Sequence, residues 1–142
     1  MVVFVTRDNH WALSQLVDEL QAAFPQVTSV YHNINTNPKL MLGRSFKLLA
    51  GQVALIDTLG DLRFQISPQS FFQVNNAQAE VLYQQVLAMA GLTGAETVVD
   101  AYCGIGTISL FLARQGGQVL GVESVSQAIK DANLNAKLNG IT

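Results

Sequence analysis

Thr97-Val98-Val99-Asp100-Ala101-Tyr102-Cys103-Gly104-Ile105-Gly106-Thr107-Ile108-Ser109-Leu110 decides the fold. An apolar, β-branched run leads to an acid, then to a loop with two glycines, then to a second apolar run at helical spacing. That order is the strand–loop–helix opening of a nucleotide-binding α/β unit. The glycines let the backbone approach a ligand, and the first turn of the helix offers it free N–H groups. Further on, Gln118-Val119-Leu120-Gly121-Val122-Glu123 reads as a second strand ending in a carboxylate. An acid at that place can accept hydrogen bonds from both hydroxyls of an adenosine ribose.

Gly104-x-Gly106 specifies little by itself. The third glycine of the dinucleotide fingerprint is absent, Ser109 stands in its place, and a plain tight turn would use the same two glycines. Asp100 before the loop and Glu123 after the second strand favour an S-adenosylmethionine site over a nicotinamide dinucleotide site. The loop then takes the methionine end and the second acid the ribose. Tyr102 stands at the C-terminal end of the strand, where ligands bind in such sheets, and is expected to touch one. Cys103 reads as a small, partly buried loop residue. A nucleophile needs a base or a cationic neighbour to become thiolate, and none stands near it in sequence. His10 and His32 are isolated, without metal-ligand spacing, and read as ordinary surface or structural residues. Phe71 and Phe72 suit either stacking on a base or core packing.

The bulk composition sets outer bounds. The chain has 142 residues, 49% hydrophobic and 13% charged, with a formal net charge of −2. Enough apolar side chain is present for a buried core, which argues against disorder. The charge gives no basic footprint for nucleic acid by this chain alone. One cysteine leaves no internal disulfide framework and no cysteine-rich metal or iron–sulfur site, and fits a reducing cytoplasm. The sequence contains no signal peptide, no apolar run of transmembrane length and no internal repeat.

Ahead of the glycine loop the pattern is α+β. Val2-Val3-Phe4-Val5 is a short apolar strand. Over residues 10–24, Leu13, Leu16, Val17, Leu20 and Phe24 recur on one face and predict an amphipathic helix closed by Pro25. Residues 27–34 read as a strand, Asn33-Ile34-Asn35-Thr36-Asn37-Pro38 as a polar loop, and residues 46–49 as a short strand. A hairpin pairs 52–57 with 62–66 across Thr58-Leu59-Gly60-Asp61. Ser67-Pro68-Gln69-Ser70-Phe71-Phe72-Gln73-Val74-Asn75 links this unit to the next helix. Asn75 or Asn76 caps that helix, which has Ala79, Leu82, Tyr83, Val86, Leu87 and Ala90 on its buried stripe and Gly91 after its last turn. A helix over 108–114 and a last one from about Val125 to Leu138 flank the strand at Gln118. The expected organisation is a small α+β subdomain over residues 1–74, then the N-terminal part of a Rossmann-like α/β methyltransferase domain over 75–142. Two parallel strands are too few for a complete doubly wound sheet, so the sequence reads as part of a longer protein.

Ser67-Pro68-x-Ser70-Phe71-Phe72-Gln73-Val74-Asn75 followed by Asp100-Ala101-Tyr102-Cys103-Gly104-Ile105-Gly106-Thr107 resembles the RNA uracil-5-methyltransferase family, nearest to its 23S ribosomal RNA branch of Gram-positive type. The resemblance runs from about residue 1 to the end and is strongest from Ser67 onward. It implies a cytoplasmic, S-adenosylmethionine-dependent enzyme of rRNA processing that methylates carbon 5 of a uridine. By position, Gln73 contacts the methionine part of the cofactor, Tyr102 lies against it at the mouth of the Gly104–Gly106 loop, and Glu123 binds the ribose hydroxyls. Thr107 stands where some members carry a cofactor-touching asparagine. Cys103 matches the family's loop cysteine, not its nucleophile. In the family a cysteine thiolate adds to carbon 6, the resulting enolate takes the methyl group, and a base removes the carbon-5 proton. That cysteine, the base and a further cofactor-binding aspartate lie beyond the last residue of this chain in the family's order, and the RNA-binding barrel lies before its first. The chain alone is therefore expected to be inactive.

Two other classes compete. A nicotinamide-dependent oxidoreductase is disfavoured by the missing third glycine and by the Ser-Pro-x-Ser-Phe-Phe-Gln segment. A non-catalytic module would self-associate through an open sheet edge after Glu123 and through uncovered apolar faces.

Overall fold

A computed structural model of the chain describes residues 1–9 and 12–141. His10, and with it the expected start of the first helix, lies outside the described residues. The chain divides into two compact units, Met1–Leu55 and Ile56–Thr142.

The first unit is a three-stranded sheet with one helix. Strand β1 (Val2–Thr6) lies parallel to β2 (Ser29–Ile34), with helix α1 (Leu13–Ala23) in the crossover, and β3 (Ser45–Gly51) returns antiparallel on the other side of β2. Central β2 is buried from Ser29 to Asn33. Of the expected α1 stripe only Leu13 and Val17 are buried, while Leu16 and Phe24 stay exposed. Polar side chains fix the rest. The Asn33 carboxamide donates to the carbonyls of Gly43 and Ser45 and accepts from Gly43 N at 2.7 Å, which closes the loop between β2 and β3. Gly43 must be glycine there, since a Cβ would lie 1.9 Å from the Ile34 carbonyl oxygen. Buried His32 shares a 2.6 Å hydrogen bond between its Nε2 and Thr6 Oγ1.

A hairpin of β4 (Leu55–Leu59) and β5 (Leu62–Ile66), all of it but Leu55 in the second unit, is turned through Gly60 and Asp61 alone. The turn is tighter than the four residues expected, because Gly60 adopts φ +58°, the left-handed value that two-residue hairpin turns need. Helix α2 (Asn76–Ala90) is capped as predicted: Asn75 Oδ1 accepts from Gln78 N at 3.2 Å, and left-handed Gly91 ends it. Its buried face is Ala79, Tyr83 and Leu87, with Leu82 exposed. Strand β6 (Thr97–Asp100) and strand β7 (Gln118–Gly121) pair in parallel across helix α3 (Thr107–Ala113), and helix α4 (Ser126–Leu138) follows. The fold is α/β.

The division between the units falls earlier in sequence than the expected boundary at residue 74. Leu59, Leu62 and Phe64 of the hairpin pack in one core with Ala79, Tyr83, Leu87, Ile105 and Phe111. Phe72 joins this core against Phe64, ring centroids 5.7 Å apart. Helix α4 also grips the hairpin by its backbone. Asn139 accepts from Arg63 N at 2.9 Å and donates to Arg63 O at 2.7 Å, and Asn135 accepts from Gln65 N at 2.7 Å and donates to Gln65 O at 3.2 Å. Alternate residues of the outer edge of β5 are thus paired as a neighbouring strand would pair them. Hairpin and linker are part of the second unit for that reason.

Among the described residues one buried side-chain polar atom lacks a partner, Ser29 Oγ in the core of the first unit. A buried hydroxyl without a hydrogen bond costs about 1–3 kcal/mol. We expect Ser29→Ala to leave the unfolding midpoint unchanged or raise it; a midpoint lowered by several degrees in thermal denaturation would contradict this.

Candidate functional site

The site is built where β6 and β7 end. Parallel pairing puts Asp100 opposite Gly121, and it continues beyond both strands, with Val122 N donating to Asp100 O at 2.8 Å and Cys103 N to Val122 O at 3.1 Å. The loop after β6 and the acid after β7 are therefore held side by side. Gly104 N donates to Glu123 Oε2 at 3.2 Å. The other oxygen of Glu123 accepts from Val125 N at 2.9 Å and from Ser124 Oγ at 3.1 Å. These donors hold the carboxyl below the usual glutamate range, the Val125 N–H contributing most, then the Ser124 hydroxyl.

The two glycines do different work. Both have positive φ, +54° at Gly104 and +86° at Gly106. A Cβ on Gly104 would meet nothing within 4 Å, so the backbone there faces open space. Gly106, at the start of α3, is packed against Ala132 and Leu110. Gly104 leaves its side of the loop open, and Gly106 lets helix α3 sit close to α4.

Ser109, in place of the third glycine, donates from Oγ to Asp100 Oδ2 at 2.6 Å. It fixes the acid at the end of β6 with a neutral partner, a role the sequence does not disclose. Cys103 is buried behind the loop against Gly121, where a Cβ would come within 2.9 Å of its Sγ. Burial pushes the thiol up, and the charges of Asp100 and Glu123 push it the same way. Such a thiol stays protonated at neutral pH and is a poor nucleophile.

The other expected residues surround this pair to different degrees. Tyr102 is 92% exposed at the shoulder of the loop. Thr107 Oγ1, in the first turn of α3, accepts from the Tyr83 hydroxyl at 3.2 Å. Gln73 is half-buried, and among the described residues no hydrogen bond joins its side chain to the loop. Direct bonding therefore brings together Gly104 and Glu123, with Tyr102, Gly106 and Thr107 adjacent in the chain. A cavity of about 590 Å³ between α3, β7 and α4 includes Gly106 and Cys103 in its lining but not Tyr102, Gly104, Thr107 or Glu123. It lies behind the loop. Among the described residues no cluster of His, Cys, Asp or Glu could hold a metal ion, and no helix is long and apolar enough to cross a membrane.

A parallel strand–loop–helix unit with an acid closing the second strand is common to dinucleotide-binding and S-adenosylmethionine-binding α/β folds. Known proteins separate the two. The chain is 49% identical to an "uncharacterized RNA methyltransferase" of Halalkalibacterium halodurans, over 99% of this chain and 31% of that protein. It is 51% identical to one of Lactiplantibacillus plantarum, over 100% of this chain and 32% of that protein. In three dimensions it is similar to the Pyrococcus abyssi tRNA (uracil-54, C5)-methyltransferase in complex with S-adenosyl-L-homocysteine, with a TM-score of 0.73 and 27% identity over 99% of this chain and 33% of that one. An S-adenosylmethionine-dependent methyltransferase of Agrobacterium tumefaciens shares the fold, with a TM-score of 0.57 at 19% identity over 85% of this chain and 38% of that one. No family model matches. Along its full length the chain is thus a homologue of proteins named RNA methyltransferases, and it spans about a third of their length.

Two outcomes test this geometry. Iodoacetamide should alkylate Cys103 in the folded chain much more slowly than in the urea-unfolded chain at pH 8; equal rates would contradict the buried, protonated thiol. Because the folded carboxyl of Glu123 is lowered, its hold on the loop is fully present above the ordinary glutamate pKa and is lost as pH falls through the lower folded value. In an NMR titration the Gly104 amide should shift with a midpoint below the ordinary glutamate pKa. A midpoint at or above that value would contradict the assigned hydrogen bonds.

Proposed function

We propose that these residues form the first half of the S-adenosylmethionine site of an RNA uracil-5-methyltransferase acting on 23S ribosomal RNA in the cytoplasm. The observation that carries this is the pairing of Gly104 with Glu123 beside a backbone that faces open space. Glu123 is an ionised acceptor at the end of the second strand, set to take the ribose hydroxyls. Three donors already occupy its carboxylate, and a carboxylate offers about four acceptor positions. Taking both hydroxyls therefore requires one donor to yield, and the rotatable Ser124 hydroxyl is the one free to turn away. Exposed Tyr102 lies against the ligand at the loop's mouth, Thr107 stands at the helix start, and Gln73 serves the methionine end. When bound, the cofactor supplies the methyl group.

Cys103 takes no part in that chemistry. It is the one cysteine among these 142 residues, so the thiolate that the proposed reaction needs comes from elsewhere in the whole protein, and this chain alone is expected to transfer no methyl group. RNA is the partner proposed for the whole protein. Self-association is a second reading, favoured by exposed Val99, Leu120 and Val122 on or beside β6 and β7. A clean monomer by light scattering at high concentration would contradict it.

Calorimetry of S-adenosyl-L-homocysteine with this chain tests the proposal. We expect binding that weakens at least tenfold in Glu123→Ala, because the variant removes the charged acceptor set to take the ribose hydroxyls. No binding, or equal binding by the variant, would contradict the assignment.

A further inference from the structure

Helix α4 and its C-terminal cap carry Gln127, Asp131, Asn135 and Asn139 at four-residue intervals, so the four side chains lie along one stripe of the helix. Polar residues at that spacing ordinarily face water. Here Asp131 and Asn135 are 0% exposed. Asn139 and Asn135 pair with Arg63 and Gln65 of β5. Asp131 continues the series by accepting from Ser67 Oγ at 2.9 Å and Ser70 Oγ at 2.6 Å, with Gln127 Nε2 donating to it at 3.0 Å. The stripe therefore tracks the chain from Arg63 to Ser70, three residues before Gln73.

Asn135 makes one contact that the others do not. Its Nδ2 donates to the carbonyl of Ile105 at 3.0 Å as well as to Gln65 O. Ile105 is the middle residue of the Gly104-Ile105-Gly106 turn. One buried carboxamide thus binds both segments from which the proposed cofactor site is made, the strand that leads to Gln73 and the glycine loop. Oδ1 is held by Gln65 N and the two Nδ2 protons by two carbonyls, so the group is anchored on three sides. We infer that Asn135 is a positioning residue for S-adenosylmethionine binding: it fixes the glycine loop relative to the segment bearing Gln73.

The inference rests on the proposed cofactor assignment. Asn139 is its internal control, because Asn139 grips the same strand without touching the loop. Removing either carboxamide loosens the hairpin, but only loss of Asn135 frees the Ile105 carbonyl. A merely structural role predicts that ligand affinity tracks thermal stability in both variants alike.

The test measures S-adenosyl-L-homocysteine affinity and unfolding midpoint for the chain, for Asn135→Ala and for Asn139→Ala. The positioning role predicts at least tenfold weaker binding by Asn135→Ala while it remains folded at the measuring temperature, and binding within threefold of the parent for Asn139→Ala. Equal affinity in all three proteins overturns the inference and leaves the cofactor assignment standing, whereas no binding by the parent chain overturns the assignment itself. NMR on the unmodified chain covers the case in which Asn135→Ala does not fold. Ligand should shift the side-chain NH₂ resonances of Asn135 more than those of Asn139, and equal or absent shifts in a binding chain would overturn the inference.

Discussion

Everything at the site depends on the parallel pairing of two four-residue strands. With Thr97 opposite Gln118 and Asp100 opposite Gly121, the chain leaving β6 and the chain leaving β7 emerge at the same end of the sheet. A shift of one residue would send alternate side chains to the other face and separate the glycine loop from Glu123. The two hydrogen bonds beyond the strands, through Val122, carry the register into the loop. The Gly104–Glu123 contact then needs no further folding, and it sets an ionised acceptor beside open backbone. Gly121 is part of the same constraint, because any side chain there would collide with Cys103 beneath the loop.

A second constraint works from behind. Short strands and a short helix bury little apolar surface, and the outer edge of β5 would otherwise present unpaired backbone groups. The side chains of α4 satisfy them. The polar stripe thus pairs alternate residues of the hairpin edge as an added strand would. It also explains the two serines of the Ser-Pro-x-Ser-Phe-Phe-Gln segment. Both hydroxyls end on Asp131, which fixes the turn between the hairpin and the segment that carries Gln73.

These two constraints differ in how far the sequence discloses them. The β6–loop–α3 unit and the acid after β7 are legible, because an apolar β-branched run, two glycines and a carboxylate have few other uses in that order. The N-cap at Asn75 and the stop at Gly91 are legible for similar local reasons. The stripe on α4 is not: Gln127, Asp131, Asn135 and Asn139 at helical spacing look like a solvated face until the partner strand is known. The boundary between the units is hidden for a related reason. Leu62, Phe64 and Ile66 alternate as in any hairpin, and alternation does not say which core they enter. In α1 the periodicity of Leu13, Leu16, Val17 and Phe24 predicts a broader buried face than the unit has, since only Leu13 and Val17 are covered. In sequence Ser109 is only a missing glycine, and its bond to Asp100 is visible once the helix start stands beside the strand end.

We propose that Glu123 and the glycine loop form one half of a cofactor site. The most direct measurement is a crystal structure of the chain with S-adenosyl-L-homocysteine bound. We expect ribose hydroxyl oxygens at hydrogen-bond distance, about 2.5–3.0 Å, from the carboxylate of Glu123, with the ligand lying over Gly104 and Tyr102 against it. Ligand seated in the cavity between α3 and α4, or a ribose held by other residues while Glu123 keeps all three of its present donors, would contradict it.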